Sequence, residues 1–327
     1  MRDQNFRCQW RALAVTCVVA LAAAGMSGCE ERGGTKGVAA AKSASIHRFD
    51  HFQAVADSGH GLVAVGAFGV VDVSTDGGAN WSRRELAGAP GLIKVAACGD
   101  GSLAALDFDG AVWRSGADAA AWTASKVPAT DAVLDLACSA DNHLWVVGAR
   151  GAIFASRDGG KSWTDQSLPE DVQLLNVQFP TPAIGVITGE FGRVLLTTDG
   201  GAKWGEGGSL GPDFYPQGMD FADTRHGLVV GLGGAVLETT DGGVTWKRDK
   251  APTEAPLYGV VATLPGGPVV VGAAGSVFRR VGTSWRPVGG IPLTDFRGIA
   301  RTGSGVVLAG AGVLLPLTTD ALSSGTN

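Results

Sequence analysis

Hydrophobic residues in this chain come in short runs, alternating with small or polar residues and bounded by glycine. A first run reads Phe52-Gln-Ala-Val-Ala, a second Gly61-Leu-Val-Ala-Val-Gly66 and a third Gly69-Val-Val-Asp-Val-Ser. Runs of five or six such residues predict strands, and tight glycine turns between them predict antiparallel hairpins. The series returns further along as Leu174-Leu-Asn-Val-Gln-Phe, Gly227-Leu-Val-Val-Gly231 and Gly192-Arg-Val-Leu-Leu-Thr. Its turns return as Gly66-Ala-Phe-Gly69, Gly148-Ala-Arg-Gly151, Gly189-Glu-Phe-Gly192 and Gly272-Ala-Ala-Gly275. A tryptophan opens the fourth run at Trp81, Trp122, Trp163, Trp204, Trp246 and Trp285, at spacings of 41, 41, 41, 42 and 39 residues. Four strands in ~40 residues is the pattern of a β-propeller blade. The expected fold is therefore all-β: a seven-bladed propeller of four-stranded antiparallel blades over residues 44–320, with a short tail over 321–327. The seventh repeat starts at Phe296 and stops at Thr318-Thr-Asp320, before any tryptophan. Ala44-Ser-Ile-His-Arg-Phe49 is expected to complete that last blade as its fourth strand and so to pin the two ends of the ring together.

The chain ahead of the repeats has a different character. Arg2, Arg7 and Arg11 make a basic stretch, Ala12 to Gly25 an apolar run of 14 residues, and Met26-Ser-Gly-Cys29 places small residues before a cysteine. The run is too short to span a bilayer and suits a signal-peptide core. Met26 to Cys29 resembles the lipobox of bacterial lipoproteins. The resemblance implies that residues 1–28 are a signal peptide and that Cys29 carries diacylglycerol, with ordinary secretion as the alternative. Glu30, where that family's inner-membrane signal has Asp, implies an exported protein anchored by lipid at the periplasmic side, the outer membrane favoured. Residues 29–43, polar and rich in Gly, Ala and Lys, read as a flexible tether. Cys98 and Cys138 then remain in an oxidising compartment, 24 and 25 residues ahead of their repeats' tryptophans. Both a disulfide and a pair of buried thiols fit them.

Composition narrows the function classes. Glycine is abundant, at 51 of 327 residues, but without a Gly-X-Y period, which excludes collagen. With 45% hydrophobic and only 17% charged residues the chain is not of the disordered class. A net charge of −5 gives no signature of nucleic-acid binding.

Four repeats carry near-identical text before the tryptophan: Ser74-Thr-Asp-Gly-Gly-Ala-Asn-Trp81, Ser156-Arg-Asp-Gly-Gly-Lys-Ser-Trp163, Thr197-Thr-Asp-Gly-Gly-Ala-Lys-Trp204 and Thr239-Thr-Asp-Gly-Gly-Val-Thr-Trp246. This resembles the Asp-box, or BNR, repeat of sialidases, some endoglucanases, sortilin-type receptors and the photosystem II stability and assembly factors. The Thr-Thr-Asp-Gly-Gly form and the seven-unit count look most like the last of these. Asp76, Asp158, Asp199 and Asp241 are expected to cap their turns through Asx chemistry, with the glycines at positive φ and the tryptophan packed back over the hairpin. They fall on different blades and are expected to do no chemistry.

Catalytic patterns are scarce. Gly160-Lys-Ser162 mimics the end of a P-loop, but Ala155 stands where its first glycine belongs. Asp107-Phe-Asp109-Gly110 lacks the later glutamate of a calcium loop and reads as a turn. His60, His143 and His226 recur just before the second strand of their repeats, where a residue serves the turn rather than a metal. No cofactor, metal or nucleophilic site is expected. A sialidase-like hydrolase would need more than Tyr215 and Tyr258 and an Arg-Ile-Pro element that is missing.

In a propeller the turns between second and third strands share one face with the interblade loops. Those slots hold Phe68, Phe108, Asp109, Arg150, Glu190, Phe191 and Arg193 from the turns, and Phe214, Tyr215, Tyr258, Phe296 and Arg297 from the loops. Aromatic and arginine side chains are enriched in interface hot spots. Arg150, Glu190, Phe191, Arg193, Phe214, Tyr215, Tyr258 and Arg297 are therefore the expected protein-binding face. The expected function is a lipid-anchored assembly or stability factor for a membrane-associated complex. A carbohydrate-binding or hydrolytic propeller and an accessory lipoprotein of envelope transport or outer-membrane biogenesis are the alternatives.

Overall fold

The structure, a computed structural model, describes residues 44–323. The expected signal peptide, lipidated Cys29 and tether lie outside the described residues. Seven antiparallel sheets follow one another along the chain as blades one to seven, at residues 52–85, 92–126, 133–165, 174–206, 216–250, 257–287 and 296–318. Within each blade the strands pair in sequence order. Inner strands of neighbouring blades lie side by side, and Phe52–Asp57 of blade one lies against Phe296–Thr302 of blade seven, so the row closes into a ring. Among the described residues no helix is long and apolar enough to cross a membrane.

The core sits between blades rather than within them. Trp145, Val147 and Ile153 of blade three, for example, share one cluster with Leu174, Ile187 and Leu195 of blade four. Second strands such as Leu62–Gly66 and Gly185–Gly189 are buried on both faces, which is why they read as unbroken apolar runs rather than alternating ones. The tryptophans serve the same seams. Trp81, Trp122, Trp163, Trp204, Trp246 and Trp285 each pack into a cluster shared with the preceding blade. The indole does fold back on its own turn, as where Trp81 Nε1 donates to the Gly78 carbonyl at 3.0 Å and Trp122 Nε1 to the Ala119 carbonyl at 3.1 Å, and in addition it wedges the seam to the preceding blade. The second glycine of the Asp-box has a matching reason: a Cβ at Gly201, where φ is +77°, would lie 2.1 Å from the ring of Trp145 in the blade before.

Blade seven departs from the expected plan. It has three strands, and residues 44–49 form no strand. After Thr318 the chain turns into a short helix, Thr319–Ser323, instead of doubling back. Leu322 of that helix is buried with Val261 and Leu264 of blade six and Val306 and Leu308 of blade seven. Arg279 of blade six donates to the Thr319 carbonyl at 3.2 Å and to Ser323 Oγ at 2.5 Å. The helix thus fills the one seam whose following blade has no tryptophan, and residues 321–323 are part of the packed domain rather than a tail. Pro316 in the outermost strand also withholds a donor, a substitution suited to a sheet edge. The stretch before blade one is a strap across the seam between blades seven and one. Ile46 packs there beside Trp81, Arg83 donates to the Ser45 carbonyl at 3.1 Å and pairs with Asp50 at 2.8 Å, and Gly312 N donates to the Asp50 carbonyl at 2.7 Å.

Cys98 and Cys138, at the lower ends of the inner strands of blades two and three, are joined in a disulfide with a Cα separation of 5.0 Å. Arg114 lies against it, 2.9 Å from Cys98 Sγ.

Candidate partner-binding face

Strand directions divide the ring into two faces. The lower face carries the Asp-boxes. Asp76 Oδ1 accepts from Asn80 N and Ser74 Oγ, and Asp158, Asp199 and Asp241 repeat the pattern with Ser162 and Ser156, Lys203 and Thr197, and Thr245 and Thr239. These bonds hold the carboxylates of Asp76, Asp158 and Asp241 down to a pKa of about 2; the largest cause is the Asn80 backbone for Asp76 and the Ser162 and Thr245 hydroxyls for the others. Asp199 is lowered too, chiefly by the Lys203 backbone N–H. Each box aspartate is engaged within its own turn, on its own blade. The histidines serve turns as well: His143 and His226 face Asp141 and Asp223 within the same first-to-second-strand turn. Asp107 accepts from Ala111 N and from Trp113 Nε1, closing the Phe108 turn. Among the described residues no group of three or more His, Cys, Asp or Glu is placed to hold a metal.

The upper face is built from interblade loops and second-to-third-strand turns. In blades one, three, four, five and six the turn is a three-residue 3₁₀ element whose middle residue is left-handed: Phe68, Arg150, Phe191, Gly233 and Ala274, with φ between 52° and 64°. Glycine adopts this conformation without cost, whereas an L side chain there costs about 1 kcal/mol. The following glycine is obligatory: a Cβ on Gly192 would lie 2.3 Å from the Gly211 carbonyl oxygen. The geometry throws the middle side chain outward. Phe68 and Phe191 in that slot are 72% and 70% exposed, and Phe108, in the differently built turn of blade two, is 76% exposed. Leu232, Leu293 and Phe49 are exposed on the same face, so that six of the eight exposed large hydrophobics among the described residues lie on this side.

The expected binding residues separate into two groups. Arg150, Phe191 and Arg297 are exposed on the upper face, Arg150 with only a 3.8 Å approach to Asp131. Tyr258 lies under Arg297, whose guanidinium carbon is 4.7 Å from the ring centre. The others brace the fold. Arg193 is pinned between Glu170 at 3.1 Å and Glu206 at 2.7 Å, Glu190 accepts from Gln173 N at 2.8 Å, and Tyr215 donates to Gln173 Oε1 at 3.1 Å. Phe214 and Phe296 are not on the surface: Phe214 fills the seam of blades four and five and Phe296 that of blades six and seven. Phe214 lies two residues before an inner strand and Phe296 opens one, each facing the neighbouring sheet. Leu293 and Phe49 were missed because they stand in interblade segments beside the repeated turn slot, and Leu232 because blade five fills the middle of its turn with Gly233.

The central channel is lined by inner strands. Inside it Lys94 pairs with Asp135 at 2.7 Å, whose other oxygen accepts from Val177 N of the next blade. Gln178 accepts from Phe221 N and Asp220 from Ala262 N in the same manner, linking blades four to five and five to six. Burial raises the Asp220 pKa.

Residues 114–214 match the family model of the photosynthesis system II assembly factor YCF48. A search of the curated proteins finds no match. Among solved structures the chain resembles YCF48 bound to a D1 peptide (TM-score 0.66, 16% identity, covering 83% of this chain and 93% of that one). It resembles YCF48 from Cyanidioschyzon merolae to a similar degree (0.65, 16%, 81% and 94%). Virginiamycin B lyase from Staphylococcus aureus shares the architecture at 14% identity (0.69, 80% and 92%), so the fold by itself does not separate binding proteins from enzymes. The chain is a seven-bladed propeller of the fold seen in the YCF48 structures, and its match to the YCF48 family runs from the third strand of blade two to the threshold of blade five.

Proposed function

We propose that this chain is a protein-binding assembly or stability factor for a membrane-associated complex, exported and held at the periplasmic side by lipid on Cys29, at the outer membrane. The observation that carries the reading is the upper face. Bulky side chains occupy a left-handed turn slot that blade five fills with glycine, and they point away from the core. Exposed phenylalanines at a conformational cost do nothing for the isolated fold and suit a surface that a partner covers. The family match supports the same reading, since residues 114–214 supply Arg150 and Phe191. A YCF48 structure with a bound D1 peptide supports a polypeptide as the class of ligand. Resident chemistry has no comparable support, because the box carboxylates are each engaged in their own turns.

The test is site-specific photocrosslinking in intact cells. A photoreactive residue at Phe191 or Phe108 should give adducts with membrane proteins, and the same residue at Val244 on the lower face should not. Equal labelling from both faces, or none from the upper one, refutes the binding face. Radiolabelled palmitate should be incorporated by the full chain and lost in Cys29→Ser; retention in the variant refutes the anchor.

A further inference from the structure

Every inner strand contains the same irregularity. In all seven blades the pairing of first and second strands slips by one residue near its upper end. Such a bulge leaves one residue out of the ladder and re-aims its side chain. In blades two, three and four the slipped residues are Ile93, Leu134 and Leu175. In blades five, six, seven and one they are Gln217, Tyr258, Arg297 and Gln53. All line one cavity of about 290 Å³ at the mouth of the central channel. The mouth is thus divided into an apolar arc over three consecutive blades and a polar arc over the other four. The polar arc contains one cation, Arg297, which stacks on Tyr258 and makes no ion pair with any described residue. Below the apolar arc the lining turns polar at Lys94, Asp135 and Asn176, and Lys94 is already neutralised by Asp135.

A ligand that fits must be small, with an anionic group on one side and a short apolar group on the other. We infer that the mouth takes the C-terminal residue of a polypeptide: its free α-carboxylate pairs with Arg297 and its aliphatic or aromatic side chain lies against Ile93, Leu134 and Leu175. The inference rests on the reading of the upper face as a protein-binding surface and names what that surface recognises. The apolar layer is one residue deep per blade, too shallow for an acyl chain. Phe108 and Phe191, exposed above blades two and four, stand over the same sector for the residues that precede the terminus. A planar guanidinium facing a carboxylate gives geometric as well as charge selectivity.

The experiment is fluorescence anisotropy of the full chain with labelled decapeptides of random upstream sequence, ending in Leu, Val, Phe, Gly or Asp, each as free acid and as amide. Free acids ending in Leu, Val or Phe should bind at least tenfold tighter than their amides and than peptides ending in Gly or Asp. Arg297→Gln should abolish the preference for the free acid, and Arg297→Lys should keep part of it. Leu134→Asp should remove the preference for an apolar last residue. Equal binding of acid and amide, absence of binding, or displacement by decanoate at lower concentration than by the best peptide would overturn the inference. Crosslinks from Phe191 that persist in Arg297→Gln would leave the broader function standing; their absence from the wild-type chain would remove that function itself.

Discussion

Replacing Trp204 by alanine tests whether the recurrent indole holds blades together or merely fastens its own hairpin. The ring of Trp204 meets Trp145 of blade three edge-on, with centroids 5.7 Å apart and planes at 82°, and meets Phe179 of its own blade at 5.8 Å and 80°. Its Nε1 donates to Gln166 Oε1 of blade three at 3.2 Å. An indole that hides roughly 150 Å² contributes about 3–4 kcal/mol at ~25 cal/mol per Å². The cavity left at the rim opens toward solvent, so no large void term is added. The expected loss is about 3–4 kcal/mol, read as a lower urea midpoint with an unchanged slope. The diagnostic measurement is a double-mutant cycle with Trp145→Leu. An edge-to-face pair across the seam should give a coupling of about 0.5–1.5 kcal/mol. Additive losses within experimental error would show that Trp204 and Trp145 do not stabilise one another, and the seam argument would be wrong. The control is Trp246→Ala, which removes the equivalent residue one blade on and should be additive with Trp145→Leu.

Two further outcomes follow from the same structure. The Cys98–Cys138 bond closes a loop of separation 40, for which chain-entropy reasoning gives about 4 kcal/mol; a Cys98→Ser/Cys138→Ser chain should lose most of that in denaturant titration, and a loss below about 1 kcal/mol would remove the disulfide from the account of stability. Asp72 is fully buried with neither oxygen hydrogen-bonded, and desolvation pushes its pKa up to about 7 against the opposing pull of Arg83. A folded-state pKa raised above the unfolded value of 3.8 gives stability that is complete below about pH 4 and lost as pH rises through about 7. Asp72→Leu should therefore gain roughly 1–3 kcal/mol on the wild type at pH 8 and less at pH 5. An advantage that does not grow with pH contradicts this.

The repeat made the fold legible. Six tryptophans at near-constant spacing and four Asp-boxes define blades whose strands the structure reproduces, because turn chemistry and short apolar runs bounded by glycine are local signals. That each tryptophan also wedges the seam to the preceding blade was not legible, since a hairpin and the seam beside it demand the same indole. Blade seven misled for a related reason. The repeat register leaves one strand missing and offers residues 44–49 to supply it, while the alternative solution, a buried Leu322 and the Arg279 bonds to the last helix, has no counterpart in the repeat. On the upper face the turn slots were correctly placed, but slot alone does not reveal which side chains are free. Arg193 is held by Glu170 and Glu206, more than twenty residues upstream and thirteen downstream, and Phe214 turns inward where Phe191 turns out. The channel mouth depends on a bulge, a slip between strands that no single strand's pattern records.

The seam between blades six and seven gives the molecule a definite polarity in how it comes apart. Every other joint is plugged by an indole from a full four-stranded neighbour, whereas this one is plugged by five residues at the end of the described chain. A ring interrupted at one joint loses its closure, so the durability of the whole circle is set by its least reinforced junction. Blade seven is then expected to be the first unit released, and the arc of the mouth that contains Arg297 to go with it, while the disulfide-joined blades two and three remain assembled.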